Sequence, residues 1–142
     1  MTNTCLIAID ESEHSLRAVD YIIKDAANRR TLPIIHLVNV QPGLPSDVTR
    51  FIDAKTVEDF HRESGDAALA PAKEKLTRAG LVHSAHILIG EVAPTLVEFA
   101  SSHGCDLIIM GAHGFGTVVG MFMGSVTVKV VQLANLPVLL IK

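Results

Sequence analysis

Gly111, Gly114, Gly124 and Ser125 stand at a spacing that can hold an anion. They lie in the stretch GAHGFGTVVGMFMGS, residues 111–125, which carries five glycines and no charged side chain. Glycine lets a backbone turn where a side chain would block a ligand. A Gly-Ser pair that opens a helix offers unpaired N–H groups and the positive end of the helix dipole. Ser125 and Thr127 add hydroxyl donors, and a protonated His113 pairs with phosphate. The stretch is not a Walker loop, because Gly124 rather than Lys precedes Ser125. Nor is it the dinucleotide fingerprint: Gly114-Phe115-Gly116 is followed by Gly120, one residue late, and the acid expected about 20 residues on is missing. The alternative reading is structural, with the outer glycines marking a tight turn after a strand and Gly116 and Gly120 allowing close packing.

Other polar residues suggest less. His83 and His86 are three apart in an extended segment, so they point to opposite faces and make a poor metal pair. Cys5 and Cys105 are too few for a disulfide framework. They read as two buried thiols that open neighbouring strands, in keeping with a reducing cytoplasm. No Ser/His/Asp order has motif support and no Lys stands at the phosphate-binding turn, so hydrolysis of a bound nucleotide should be slow.

The elements that must position the glycine turn follow from hydrophobic patterning. TCLIAID is a short apolar run that stops at an acid, and reads as a buried strand. Ser12 then caps a helix with Glu13 in its first turn, and Leu16, Val19, Ile22, Ile23 and Ala26 form the apolar face of that helix. IIHLVNV is the second strand and QPGLPSD a loop. Residues 48–79 read as helical, closed by Gly80 as the C′ residue, with a break or kink expected at Gly65 and Pro71. SAHILIG is the third strand, and Pro94 suits the first turn of a helix that ends at Gly104. CDLIIMG is the fourth strand. SVTVKVVQLAN is a helix whose Val126, Val130, Leu133 and Ala134 share a face, and LPVLLIK is the last strand. Strands alternating with helices predict a parallel sheet. The outcome is a single α/β domain over residues 1–142, doubly wound, with five strands flanked by four helices. Ligands of such sheets sit beyond the carboxyl ends of the strands, where strand order reverses.

Composition fits this reading. The chain has 142 residues, with 49% hydrophobic but only 4% aromatic residues, the diet of buried parallel strands and their covering helices. A net charge of −3 provides no footprint for nucleic acid. The N-terminus lacks a basic segment and turns acidic after six apolar residues, unlike a signal peptide. Residues 107–128 carry no Asp, Glu, Lys or Arg and are long enough to span a bilayer. Their change from strand-like to turn-like to helix-like pattern argues against a membrane segment.

In order along the chain, AIDESEHS, HLVNV, DLIIMGAHG, GSVT and LPVLLIK resemble the nucleotide-binding branch of the universal stress protein family. The resemblance spans nearly the whole length. It implies strand order 3-2-1-4-5 and a cytoplasmic stress-response protein that binds ATP, or AMP or ADP, as a sensor or regulator. It also implies a homodimer paired through the last strand. The nucleotide would meet Ala8, Ile9, Asp10, Val40, Met110, Gly111, His113, Gly114, Gly124, Ser125, Val126 and Thr127. Asp10 would help to hold Mg2+, its alternative being a helix N-cap, and the Val40 backbone would recognise adenine. Two other readings remain: a dimeric interaction module of the same fold that binds no nucleotide, and a true ATPase, which the missing catalytic groups disfavour.

Overall fold

A computed structural model of the chain describes residues 3–112 and 124–142. The strands are β1 (Thr4–Ala8), β2 (Ile34–Gln41), β3 (His83–Ile89), β4 (Leu107–Gly111) and β5 (Val138–Ile141). The helices are α1 (Glu13–Ala26), α2 (Ser46–Thr49), α3 (Ala54–Arg78), α4 (Val92–Ser102) and α5 (Ser125–Leu133). The strands form one sheet in the order β3-β2-β1-β4-β5, and every adjacent pair is parallel. Sheet order and strand count therefore match the expectation. Residues 107–128 do not form one helix, since β4 and α5 are separate elements. Among the described residues, no helix is long and apolar enough to cross a membrane.

Strand alternation divides the core in two. Cys5, Ile7, Ile9, Ile35 and Leu37 pack with Val19 and Ile22 of α1 and Leu69 and Leu76 of α3. Leu6, Ala8, Val38, Val40, Ile108 and Met110 pack with Leu96 and Phe99 of α4 and Val130 of α5. Period-2 patterning thus puts successive residues of β1 into opposite cores, and both faces of that strand are dry.

Helix ends follow their local signals. The Ser12 hydroxyl accepts from Ser15 N at the start of α1, a cap that contributes about 1 kcal/mol. Gly80 and Gly104 sit at φ +72 and +63, the left-handed region where glycine carries no Cβ penalty. Each closes its helix by the paired bonds expected there. Leu81 N donates to Leu76 O and Gly80 N to Thr77 O. Cys105 N donates to Ala100 O and Gly104 N to Ser101 O.

Four expectations need correction. There are five helices among the described residues rather than four, the addition being the single turn α2. The break falls at residues 50–53 and not at Gly65 or Pro71, because Asp53 caps α3 by accepting from Thr56 N at 2.8 Å. The helix then runs without interruption for 25 residues, with Pro71 on its exposed side. Leu133 is exposed, and the buried face of α5 is Thr127 and Val130. Cys105 lies in the turn between α4 and β4 and is half-buried, while Cys5 is buried in β1, and both are free. Burial pushes the Cys5 thiol up to about 12, so it stays protonated and unreactive.

Gly65 is a contact rather than a kink. A Cβ there would stand 2.6 Å from both Cγ1 and Cδ1 of Ile87, so α3 lies against β3 only because residue 65 has no side chain. Gly65→Ala gains about 1 kcal/mol of helix propensity but overpacks the contact by about 1–3 kcal/mol. Urea denaturation should show a net loss of stability of about 1 kcal/mol, and that loss should vanish when Gly65→Ala is made in an Ile87→Ala background, which lacks all three side-chain atoms that the new Cβ meets.

Candidate functional site

The carboxyl ends of the strands form one edge. β1 stops at Ala8 and β4 at Gly111, the pair between which strand order reverses. Beyond β1 the chain must leave the sheet, and the first residues free of the core are acidic. Asp10 Oδ1 accepts from Ser12 N at 2.8 Å and from the Ser12 hydroxyl. Ser15 Oγ donates towards Asp10 O at 3.1 Å and Ser12 O at 3.0 Å. The helix cap is thus Ser12, and Asp10 braces it.

Two cavities open along this edge. One, about 420 Å3, is lined by Asp10, Asn39, Val40, Gln41, Phe60 and Ser64 among others. It lies between the end of β1, the loop after β2 and the side of α3. The other, about 350 Å3, is lined by Gly90, Glu91, Val92, Ser125, Val126 and Lys129 among others. Pro42 lines both, so they adjoin.

The second cavity is bounded by two helix starts. Glu91 is the N-cap of α4 and Gly124 that of α5, and neither supplies a side-chain cap. The first-turn N–H groups of both helices therefore receive no side-chain acceptor from their own N-cap residue. Their dipoles favour an anion in the space between them. Lys129 adds a cation there, held by an ion pair with Glu91. The Thr127 hydroxyl, in the first turn of α5, is buried and has no hydrogen-bond partner among the described residues.

The first cavity has a polar floor that sequence reasoning missed. Asn39 Nδ2 donates to Ile9 O at 2.9 Å, Gln41 Nε2 donates to Asn39 Oδ1 at 3.1 Å, and His61 Nδ1 stands 2.9 Å from Gln41 Oε1. If His61 donates, all three bonds run in one direction from α3 to the end of β1. Asn39 and His61 are both buried. The local signal was a buried Asn in the mostly apolar strand β2.

The twelve residues singled out from the sequence fall into distinct groups. Asp10 and Val40 meet at the first cavity and Ser125 and Val126 at the second. Gly124 caps α5 and Thr127 lies one turn in. Ala8, Ile9 and Met110 are sealed in the cores, so only their backbone can meet a ligand. Gly111 is the last residue of β4, and a Cβ on it would stand 2.7 Å from His14 Cβ and 2.8 Å from the His14 carbonyl carbon. Its lack of a side chain lets the first turn of α1 close on the strand. His113 and Gly114 lie outside the described residues.

Residues 1–142 match the model of the universal stress protein family. The chain belongs to the universal stress protein family. Universal stress protein YxiE of Bacillus subtilis is 31% identical over 150 residues and is covered in full, as is this chain. The solved structure of MJ0577, named in Methanocaldococcus jannaschii as a universal stress protein, superposes with a TM-score of 0.83 at 26% identity. That match covers 100% of this chain and 96% of the other. The universal stress protein from Archaeoglobus fulgidus in complex with dAMP shares the fold at a TM-score of 0.67 and 24% identity, covering 100% and 98%.

In this universal stress protein the relay beneath the first cavity should be costly to break. Asn39→Leu keeps the branching of the side chain but leaves Ile9 O and Gln41 Nε2 without their Asn39 partner. Urea denaturation should show a loss of about 1–3 kcal/mol.

Proposed function

We propose that this universal stress protein binds an adenine nucleotide across the two adjoining cavities. The base and sugar lie by Val40 and Asp10, and the phosphates lie at the start of α5. The observation that carries this reading is the paired helix starts without side-chain caps, Glu91 and Gly124, facing one cavity beside Lys129. Backbone N–H groups in that setting take phosphate oxygens. Ser125 and the orphaned Thr127 hydroxyl fit the same ligand. The dAMP complex of the Archaeoglobus relative supports an adenine nucleotide as the ligand class, with ATP, ADP or AMP as candidates here.

Asp10 is the acid at this edge suited to a hard cation, since Mg2+ takes carboxylate and phosphate oxygens and keeps several waters. Among the described residues no group of three His, Cys, Asp or Glu side chains is assembled for a metal. Nucleotide phosphates would therefore supply most of the non-water ligands. The role that follows is a cytoplasmic sensor or regulator in the stress response whose surface changes with nucleotide. Hydrolysis would be slow, because backbone donors hold ground state and transition state alike.

Gly124 tests the phosphate assignment. Its φ of −63 and ψ of 157 suit any residue, so Gly124→Val alters access to the turn more than its backbone conformation. Calorimetric titration with Mg-ATP should show at least about tenfold weaker binding, with Ser125→Ala weakened only a few-fold. Parent-like affinity in Gly124→Val would remove the phosphates from this turn.

The second part of the proposal is a homodimer through β5. That strand is an edge of the sheet. The carbonyls of Pro137 and Ile141 accept from Ile108 N and Ala112 N, so alternation turns the Val138 and Leu140 N–H groups outward. A half-buried apolar edge of this kind templates pairing with a second copy. Leu140→Pro removes an outward donor while sparing the ladder with β4. Light scattering should report a dimer for the parent and a monomer for the variant, with unchanged far-UV circular dichroism.

A further inference from the structure

Glu91 is an acid at a helix start that does not cap its own helix. An N-cap side chain accepts from the N–H of the second or third helical residue. In α4 those residues are Ala93 and Pro94, and proline has no N–H to offer. The Glu91 carboxylate instead meets Lys129 Nζ, 38 residues on in the second turn of α5. The backbone beneath Glu91 is fixed. Gly90 N donates to Gln41 O at 2.9 Å, and Thr95 N donates to Glu91 O at 3.1 Å. The two side chains are not enclosed, with Lys129 49% and Glu91 65% exposed.

This pair dominates the charge of the second cavity. Among the described residues that line the two cavities, Lys129 is the one Lys or Arg, against the carboxylates of Asp10, Glu11 and Glu91. A lysine near the amino end of α5 also opposes the helix dipole, so an anion between them satisfies both. An exposed ion pair contributes little to stability, and this one can therefore open readily.

We propose that Glu91 is an exchangeable counter-ion: it holds Lys129 while the site is empty, and a nucleotide phosphate displaces it. The exchange rests on the nucleotide reading above and gives that site two charge states. A phosphate at the start of α5 competes with the Glu91 carboxylate for the same ammonium. It has further donors that Glu91 does not use, the first-turn N–H groups of α5 and the Ser125 and Thr127 hydroxyls. Once Lys129 has turned to the phosphate, Glu91 is left beside a like charge, which repels it. Its side chain, already mostly exposed, turns to solvent. Filling the site thus moves a carboxylate out of an ion pair and onto the surface between α4 and α5. The two partners of one pair therefore act on the ligand in opposite directions. Lys129 attracts the phosphates, while Glu91 withholds the ammonium and repels them.

The test is calorimetric titration of the full chain with Mg-ATP at low ionic strength, where charge effects are largest. Lys129→Gln should weaken binding at least about tenfold, and Glu91→Gln should strengthen it about threefold. The gain in Glu91→Gln should fade in about 0.5 M NaCl. A pair that only clamped α4 to α5 would lower affinity, or leave it unchanged, in both variants. If a variant fails to fold, carbon-13 spectra of the parent decide. Saturating Mg-ATP should move the Glu91 Cδ resonance to the range of solvent-exposed glutamates and shift Lys129 Cε. Any result other than a loss in Lys129→Gln with a gain in Glu91→Gln, or an unmoved Glu91 resonance at saturation, would overturn the exchange and leave the nucleotide reading standing. A parent that takes up no Mg-ATP would overturn both.

Discussion

The dryness of β1 on both faces is the constraint on which the rest of the structure depends. Leu6 and Ala8 enter one core and Cys5, Ile7 and Ile9 the other, and Leu6 through Ile9 have no exposed surface. A strand so enclosed has no place for a charge along its length. Its backbone groups must find partners in β2 and β4. Polarity is therefore forced to the strand's end, where Asp10 and Ser12 brace the turn into α1. The carboxyl edge of the sheet is the first place where this chain can show water a carboxylate.

The same constraint gives the glycines two distinct tasks. Gly111 lets α1 approach the end of β4, which keeps the β1–β4 switch point narrow. Gly124 caps α5 with a backbone conformation open to any residue, so no backbone strain calls for glycine there. Under the proposed function, the phosphate-binding role falls to Gly124 and the packing role to Gly111, two glycines of one motif. Gly65 illustrates the second task again, away from the site, where it allows α3 to lie on Ile87.

Much of this was legible in the sequence because the deciding signals are local. Apolar runs marked the five strands, Ser12 marked a helix start, and Gly80 and Gly104 marked helix ends through their left-handed backbone. The break before α3 was misplaced because Gly65 and Pro71 were weighed as helix breakers. The capping pair Asp53 and Thr56 carried the true signal. Proline in a helix loses one hydrogen bond, a cost tolerable on an exposed side of a long helix packed elsewhere. Within the site, Asp10, Val40, Ser125 and Val126 reach the cavities. The relay Asn39–Gln41–His61 and the ion pair Glu91–Lys129 were not legible. Their members are brought together by sheet register and helix docking across 20 residues in the first case and 38 in the second.

The central claim is that an adenine nucleotide occupies the adjoining cavities at the carboxyl edge of the sheet. The most direct measurement is mass spectrometry of the small molecules released when the purified, undialysed protein is denatured. The account predicts an adenine nucleotide approaching one per chain, retained through purification because turnover is slow. Protein that releases no nucleotide, and that takes up none after incubation with Mg-ATP, would contradict it and leave the fold as an interaction module.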